Sequence, residues 1–241
     1  MAINLPHWLV EIMGILGFNW PEIDEDQLRE AAKHLRSYAE ECEQSHGRTH
    51  GIVNGELQRA YTAQSYTALA QVWADQSSGH MKDLIEVCRL LADGLDVAAI
   101  GVEGMKGEVI VQLGIAAAEF AADQVAAVAT AGLAEAAEPI FIEAQNRIIN
   151  AILQRFESEV VGALVNSTIG PIMERIDQSV QRLLFAEVAH LSIGGQVPAL
   201  KLDTAAIRTH GEMIKREADA NINGGRDFSN KVGALTFTTG G

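Results

Sequence analysis

Cys42, His46 and His50 recur at intervals of four residues. On a continuous helix they would share a face, and a thiolate with two imidazoles can hold Zn²⁺. Gly47 and Gly51 weaken helix continuity there. The competing reading is a helix end whose histidines lie near its negative pole. The acids Glu22, Asp24, Glu25 and Asp26 are a second oxygen-rich cluster. Their spacing is that of a helix start complementing the dipole, not that of a calcium loop. Glu30, His34 and Glu41 form carboxylate–imidazole pairs of the kind helical surfaces make by chance. Gly101, Gly104 and Gly107 recur every three residues, but no strand precedes them, so they read as close helix packing or a helix end rather than a phosphate loop. The GxxxxGK[ST], HExxH, GxSxG and CxxC patterns are absent, and no nucleophile–base–orienter set emerges from the spacing. We therefore expect no enzyme, no cofactor and, beyond the weak trio Cys42, His46 and His50, no metal.

Composition narrows the remaining classes. The 241 residues are 48% hydrophobic and 21% charged, the usage of a globular chain long enough to bury a core. The formal net charge of −14 excludes a basic nucleic-acid surface. Two cysteines, Cys42 and Cys88, are too few for a disulfide framework. They read as small buried side chains, or as one bridge if their helices pack side by side. No Lys or Arg precedes the apolar leader of residues 1–20, so no Sec-type signal peptide is expected. The most apolar region, residues 109–134, is interrupted by Glu119 and Asp123, and its uncharged pieces are shorter than the roughly 18 residues that a bilayer span requires. It reads as buried helix, with conditional membrane insertion as the second reading.

The elements that must position these residues are helical, and the expected class is all-α: a long antiparallel helical hairpin extended by further helices into a bundle. Few prolines and abundant alanine favour helix. Leu5, Trp8, Leu9, Ile12, Ile15 and Leu16 form an amphipathic leader that docks across the bundle or mediates oligomerisation. Asp24 is a plausible N-cap of a first long helix, whose stripe Leu28, Ala31, Ala32, Leu35, Tyr38, Ala39 and Cys42 has a period near 3.6. That helix is expected to fade near Gly47, with Gly47, Gly51 and Gly55 bracketing a break. A second helix over residues 57–76 carries Tyr61, Tyr66 and Trp73, either as core or as a partner face. A third covers residues 81–102, a fourth 108–133, and a fifth begins near Pro139. The run 166–171 breaks or kinks the fifth, and a sixth follows to about residue 190. The loop 192–198 divides the chain into domains 1–191 and 192–241. In the second, residues 199–202 are a short extended piece, Asp203 or Thr204 caps a helix, and Gly224-Gly225 interrupts it.

The order of features from Trp20 onward is the most specific signal. Asn19-Trp20-Pro21-Glu22-Ile23-Asp24-Glu25-Asp26-Gln27-Leu28 is followed by a long helix, a glycine-rich stretch, the helix with Tyr61, Tyr66 and Trp73, and then Leu84-Ile85-Glu86-Val87-Cys88. Over roughly residues 5–190 this resembles the Trp-X-Gly-like N-terminal domain of actinobacterial type VII-associated toxins, of the outer-membrane channel and necrotising-toxin kind. The resemblance implies a non-catalytic helical hairpin related to small type VII secretion substrates. It places the hairpin turn at Val53, Asn54 and Gly55, with Gly55 matching and Val53 standing where the Trp would be. The Tyr-X-X-X-Asp/Glu export pattern is not formed, since Tyr38, Tyr61 and Tyr66 are followed four places later by Cys42, Ser65 and Ala70.

What the resemblance implies for function is an export or scaffold module of a secreted toxin or effector that works by helix-face docking. Its partners would be the type VII secretion machinery and a protein partner or further copies of itself, with no nucleic acid. The chain would be made in the cytoplasm and then secreted by a non-Sec route or held at the cell envelope. No toxin domain follows within these 241 residues, so the module is either part of a longer effector or a stand-alone form acting with a partner. The alternative function is an oligomeric membrane-inserting channel or translocation domain.

Overall fold

The computed structural model describes residues 22–130, 138–175 and 201–238, together with Ile3, Val10, Trp20 and Gln178. The fold is all-α, with long helices packed together. The chain divides into two compact units that are discontinuous in sequence: Met1–Glu30, Gly94–Asn166 and Thr236–Gly241 form one, Ala31–Asp93 and Ser167–Leu235 the other. The expected boundary at residues 191/192 lies outside the described residues. The C-terminal helix groups with residues 31–93.

Helix α1 (Glu25–Gly51) begins in the first unit. Asp24 caps it as expected: its Oδ1 accepts from the amides of Asp26 and Gln27, both at 3.0 Å. The chain end is fastened to the same start. Asp24 N–H donates to the Phe237 carbonyl at 3.0 Å, and the Gln27 side-chain oxygen accepts from the amides of Thr236 and Phe237, both at 2.8 Å. Phe237 adopts a positive φ of 57° in doing so. Helix α4 (Lys82–Thr130), from Gly94 onward, and helix α5 (Glu138–Leu164) complete this unit. Its core joins Trp20 to Val102, Met105 and Val109 of α4 and to Ile149 and Ile152 of α5, and the leader residues Ile3 and Val10 pack against it.

An ion pair lies inside this unit. Lys106 and Glu25 both have fully buried side chains, with Nζ 2.6 Å from Oε2. The same ammonium donates to the Ile23 carbonyl at 2.7 Å and stands 5.8 Å from the centroid of the Trp20 ring. The Ile3 amide donates to the other Glu25 oxygen. Burial by itself would raise the Glu25 pKa. The bonds from Lys106 and from the Ile3 amide outweigh it and hold the carboxyl below its ordinary range.

In the second unit, α1 does not fade at Gly47. It runs to Gly51 and continues as a π-helical turn, Ile52–Leu57, and a short α2 (Gln58–Ala60). The helical break comes at Tyr61–Ala63, where Ala63 is extended (φ −163°, ψ 166°). There β1 (Tyr61–Thr62) pairs antiparallel with β2 (Lys201–Leu202), the extended piece anticipated from sequence. Helix α3 (Gln64–Gln76) follows β1, and a second π-helical turn, Ser77–Met81, leads into α4.

Helix α6 (Thr204–Gly233) is capped by Asp203, whose carboxylate accepts from the Ala206 amide at 3.0 Å. The pair Gly224-Gly225 does not interrupt it. The absent Cβ atoms make room for α1: a Cβ on Gly224 would stand 3.0 Å from a Glu41 oxygen, and one on Gly225 3.4 Å from the Tyr38 hydroxyl. Tyr38 then stacks on Phe228 at 5.1 Å, and Arg48 grips Glu217 with two bonds of 2.8 and 2.9 Å.

One further expectation is corrected. The separate third and fourth helices are one helix, α4, because packing overrides the weak helix propensity of Gly101, Gly104 and Gly107. The run 166–171, expected to break or kink the fifth helix, interrupts the α-helix without ending it. Val165–Ile169 forms a π-helical turn and residues 170–175 are again helical, so the wider turn absorbs the misfit caused by Pro171. The sixth helix expected beyond it falls mostly outside the described residues.

Removing one partner of a buried ion pair strands the other. Lys106→Met is expected to lower the unfolding free energy by about 3–5 kcal/mol in chemical denaturation, whereas Glu25→Leu combined with Lys106→Met should lie within about 1–2 kcal/mol of wild type. Equal losses in the single and double variants would show that the pair is not coupled. Because the folded pKa of Glu25 is depressed, its contribution is complete above about pH 5 and disappears as pH falls through the folded value. The unfolding free energy of the double variant should therefore fall less steeply below pH 5 than that of wild type, as read by urea titrations at several pH values.

Candidate interaction surface

The sequence-derived trio sits on α1 in the second unit. Cys42 is buried, and its thiol and that of Cys88 are free. Burial raises both thiol pKa values. Burial and a hydrogen bond with Cys42 push the Tyr38 hydroxyl up to about 12. The two histidines are engaged elsewhere. The His46 ring stacks on Trp73 at 5.2 Å, and its Nε2 lies 2.7 Å from the Ser77 hydroxyl. His50 Nδ1 accepts from the Trp73 indole N–H at 3.4 Å and lies 3.1 Å from the Asn54 amide nitrogen. Burial, then the neighbouring His50, lowers the pKa of His46. The imidazoles thus clip α1 to α3 and to the turn after it. Among the described residues no three His, Cys, Asp or Glu side chains are grouped to hold a metal ion.

Tyr66 donates its hydroxyl to the Val53 carbonyl at 3.1 Å, and Tyr61 meets the Tyr66 ring edge-on at 6.1 Å. Tyr61, Tyr66 and Trp73 are all half-buried, each with contacts inside its own unit. Val53, Asn54 and Gly55, expected as the hairpin turn, lie within the π-helical turn with Val53 buried, and the chain leaves the helix six residues beyond Gly55, at Tyr61. A groove of about 510 Å³ runs between α1 and α6, lined by Gly47, Gly51, Gly55, Arg59, Met213 and Arg216. Beside it Arg48 pairs with Glu217, and Glu56 lies 3.1 Å from His210.

The surface that sequence reasoning missed lies on α4 in the first unit. Ala99, Val102, Met105, Lys106 and Val109 face the core. The opposite face carries Val97, Ile100, Gly104, Gly107, Val111 and Gly114, at alternating intervals of three and four. That spacing is a helix-pairing seam. It is open to solvent: Ile100 is 63% exposed, Val111 59% and Val97 48%. Gly104 and Gly114 are exposed, and a Cβ added at any of the three seam glycines would meet nothing within 4 Å. Each of these glycines costs about 1 kcal/mol relative to alanine in a helix interior, and no contact among the described residues requires them.

Gly101 is different. A Cβ there would stand 2.8 Å from a Val160 methyl and 3.1 Å from the Phe156 ring, so this glycine serves the α4–α5 contact. The two flanks of the seam are pinned by ion pairs, Arg29–Glu103 at 2.8 Å on one side and Arg155–Glu108 at 2.7 Å on the other. The bond from Arg29 holds the Glu103 carboxyl below its ordinary pKa.

The family model of the WXG100 like domain matches residues 3–145, more than half of the chain. The chain belongs to the WXG100-like family. No curated protein and no solved structure matches it. WXG100-like proteins are secreted helical proteins associated with type VII secretion. They typically form homo- or heterodimers of helical hairpins and are not known as enzymes. The matched stretch of this WXG100-like chain contains α1 to α4 whole, including the exposed seam.

Glycines on the two faces should respond oppositely to a methyl group. In dilute protein, Gly104→Ala is expected to raise the unfolding free energy by about 0.5–1 kcal/mol through helix propensity. Gly101→Ala is expected to lower it by about 1 kcal/mol, because overpacking against Val160 exceeds that gain. Equal gains at both positions in urea titrations would contradict the α4–α5 contact.

Proposed function

We propose that this chain is a non-catalytic export or scaffold module of a type VII-associated secreted effector, acting by docking of helix faces. The observation that carries the reading is the α4 seam. Three large aliphatic residues and three glycines line the solvent face of a helix whose other face is locked by a buried ion pair. Exposed apolar groups arranged with helix-pairing spacing favour a helical partner, and the uncompensated glycines favour close backbone approach. The family's association with type VII secretion supplies the context for export by a non-Sec route. Among the described residues no helix is long and apolar enough to cross a membrane, so no observation here favours the channel reading.

The test is secretion of the tagged chain in a host with and without its type VII ATPase. Export is expected to require the ATPase. Ile100→Lys, at a site 63% exposed and so expected to leave the melting temperature unchanged, should reduce export severalfold. Export that is independent of the ATPase would sink the proposal.

A further inference from the structure

We propose that Cys42 and Cys88 are a dithiol pair that hydrogen peroxide closes to a disulfide across the α1–α4 contact of the second unit, the oxidant entering through a cavity beside Cys42. Two ion pairs bracket the thiols. Arg36 meets Asp93 at 2.7 Å and Glu43 meets Arg89 at 2.6 Å, so the two helices run antiparallel in a fixed register. Six residues on from Arg36 and six back from Asp93 set Cys42 opposite residue 87. One residue back from Glu43 and one on from Arg89 set it opposite residue 90. Cys88 lies between these limits. Both cysteines are buried, and Ala39 and Ala92, about one turn away on the same two helices, are fully buried. Helices that meet through alanine pack with axes about 8 Å apart, the short end of the usual range. With Cα atoms about 2.3 Å from each axis and a stagger of one or two residues, facing Cα atoms stand about 4–5 Å apart. A disulfide spans roughly 4.4–6.8 Å between Cα atoms. The Cys42 thiol also acts electrostatically on Cys88.

The route to the pair is on the other side of α1. A cavity of about 130 Å³ between α1 and α6 is lined by Tyr38, Glu41, Cys42, Ser45, Asn221 and Gly224, and Cys88 does not line it. Water takes about 30 Å³ per molecule in the liquid, so hydrogen peroxide fits and a bulky disulfide does not. The Tyr38 hydroxyl donates to the Cys42 sulfur and favours its thiolate against burial. That thiolate attacks one peroxide oxygen, the O–O bond breaks, and the hydroxide released takes up the proton the thiol lost. Cys42 is then a sulfenic acid, and one water has formed. The Cys88 sulfur attacks the Cys42 sulfur, the S–S bond forms and the S–O bond breaks, and the second hydroxide takes the Cys88 proton. Two thiols lose two electrons and one peroxide becomes two waters. Burial raises both thiol pKa values, so closure is slow and takes sustained oxidant. The bridge closes a loop over residues 43–87, which hold the π-helical turns Ile52–Leu57 and Ser77–Met81, α2, β1 and α3. It stabilises them by restricting the unfolded chain. It does not involve the exposed face of α4 and is independent of the docking reading.

The test treats the reduced, folded full chain with hydrogen peroxide, then alkylates it in denaturant and maps the peptides by mass. Both thiols are expected to become unreactive together, with the Cys42 and Cys88 peptides joined at a mass about 2 Da below the sum of the reduced pair. The product should run as a single chain on a non-reducing gel. Its melting temperature should rise by about 5–10 °C and return to the starting value with dithiothreitol. In Cys88→Ala, dimedone should label Cys42 as the trapped sulfenic acid. In Cys42→Ala, Cys88 should remain alkylatable at the same peroxide dose. Circular dichroism before treatment establishes that each variant is folded, and the wild-type chain carries the test by itself if one is not. Thiols that stay alkylatable in the folded wild type, bridges between two chains, or a Cys42–Cys88 bridge that forms only in the urea-unfolded chain would each overturn the proposal.

Discussion

The ammonium of Lys106 governs the first unit. Within the core it joins α4 to two stretches distant in sequence: residues 23–25, through the Ile23 carbonyl and the Glu25 carboxylate, and, through the other oxygen of that carboxylate, the amide of Ile3 in the leader. A charge taken out of water loses several kcal/mol of hydration, and only close, well-directed partners compensate. Lys106 must therefore point inward, and that fixes the rotational phase of α4. Once the phase is fixed, Val97, Ile100, Gly104, Gly107, Val111 and Gly114 face solvent. The exposed seam follows from the buried charge on the opposite side of the same helix.

Features governed by neighbours in sequence were legible before any coordinates. The caps at Asp24 and Asp203, the extended piece near residue 201 and the all-α class all depend on local chemistry or on hydrophobic period. Glu25 shows where such reading stops. Its position in the first turn suggests dipole complementation, yet its partner lies 81 residues away. Glycines show it again. Gly47, Gly101 and Gly224 look like breaks in a propensity scale, but each lies inside a continuous helix. Whether a glycine is there because a neighbour needs the space depends on Val160 or Tyr38, which no local window contains.

The candidate sites follow the same rule. The four-residue spacing of Cys42, His46 and His50 was visible, as was the aromatic set of the next helix. That Trp73 and Ser77 would take up the imidazoles was not visible, because they arrive from another element. The seam on α4 was readable in principle, since its 3-4 spacing is in the sequence. It was obscured by glycines that resemble breaks and by an apolar run that resembles uniformly buried helix. Only the exposure of Ile100 and Val111 distinguishes the two faces.

The π-helical turn at Ile52–Leu57 sets the rotational registration of everything that follows it in the second unit. A π turn holds one residue more than an α turn, which rotates all later side chains by about 100°. With that rotation Leu57 and Ala60 remain buried alongside Ile52 and Val53, and the Ala60 carbonyl meets the Asp203 amide at 3.0 Å. A chain one residue shorter here could still be helical throughout, but its strand Tyr61–Thr62 would swing away from Lys201–Leu202. The length of this stretch is thus constrained as well as its buried residues Ile52, Val53 and Leu57.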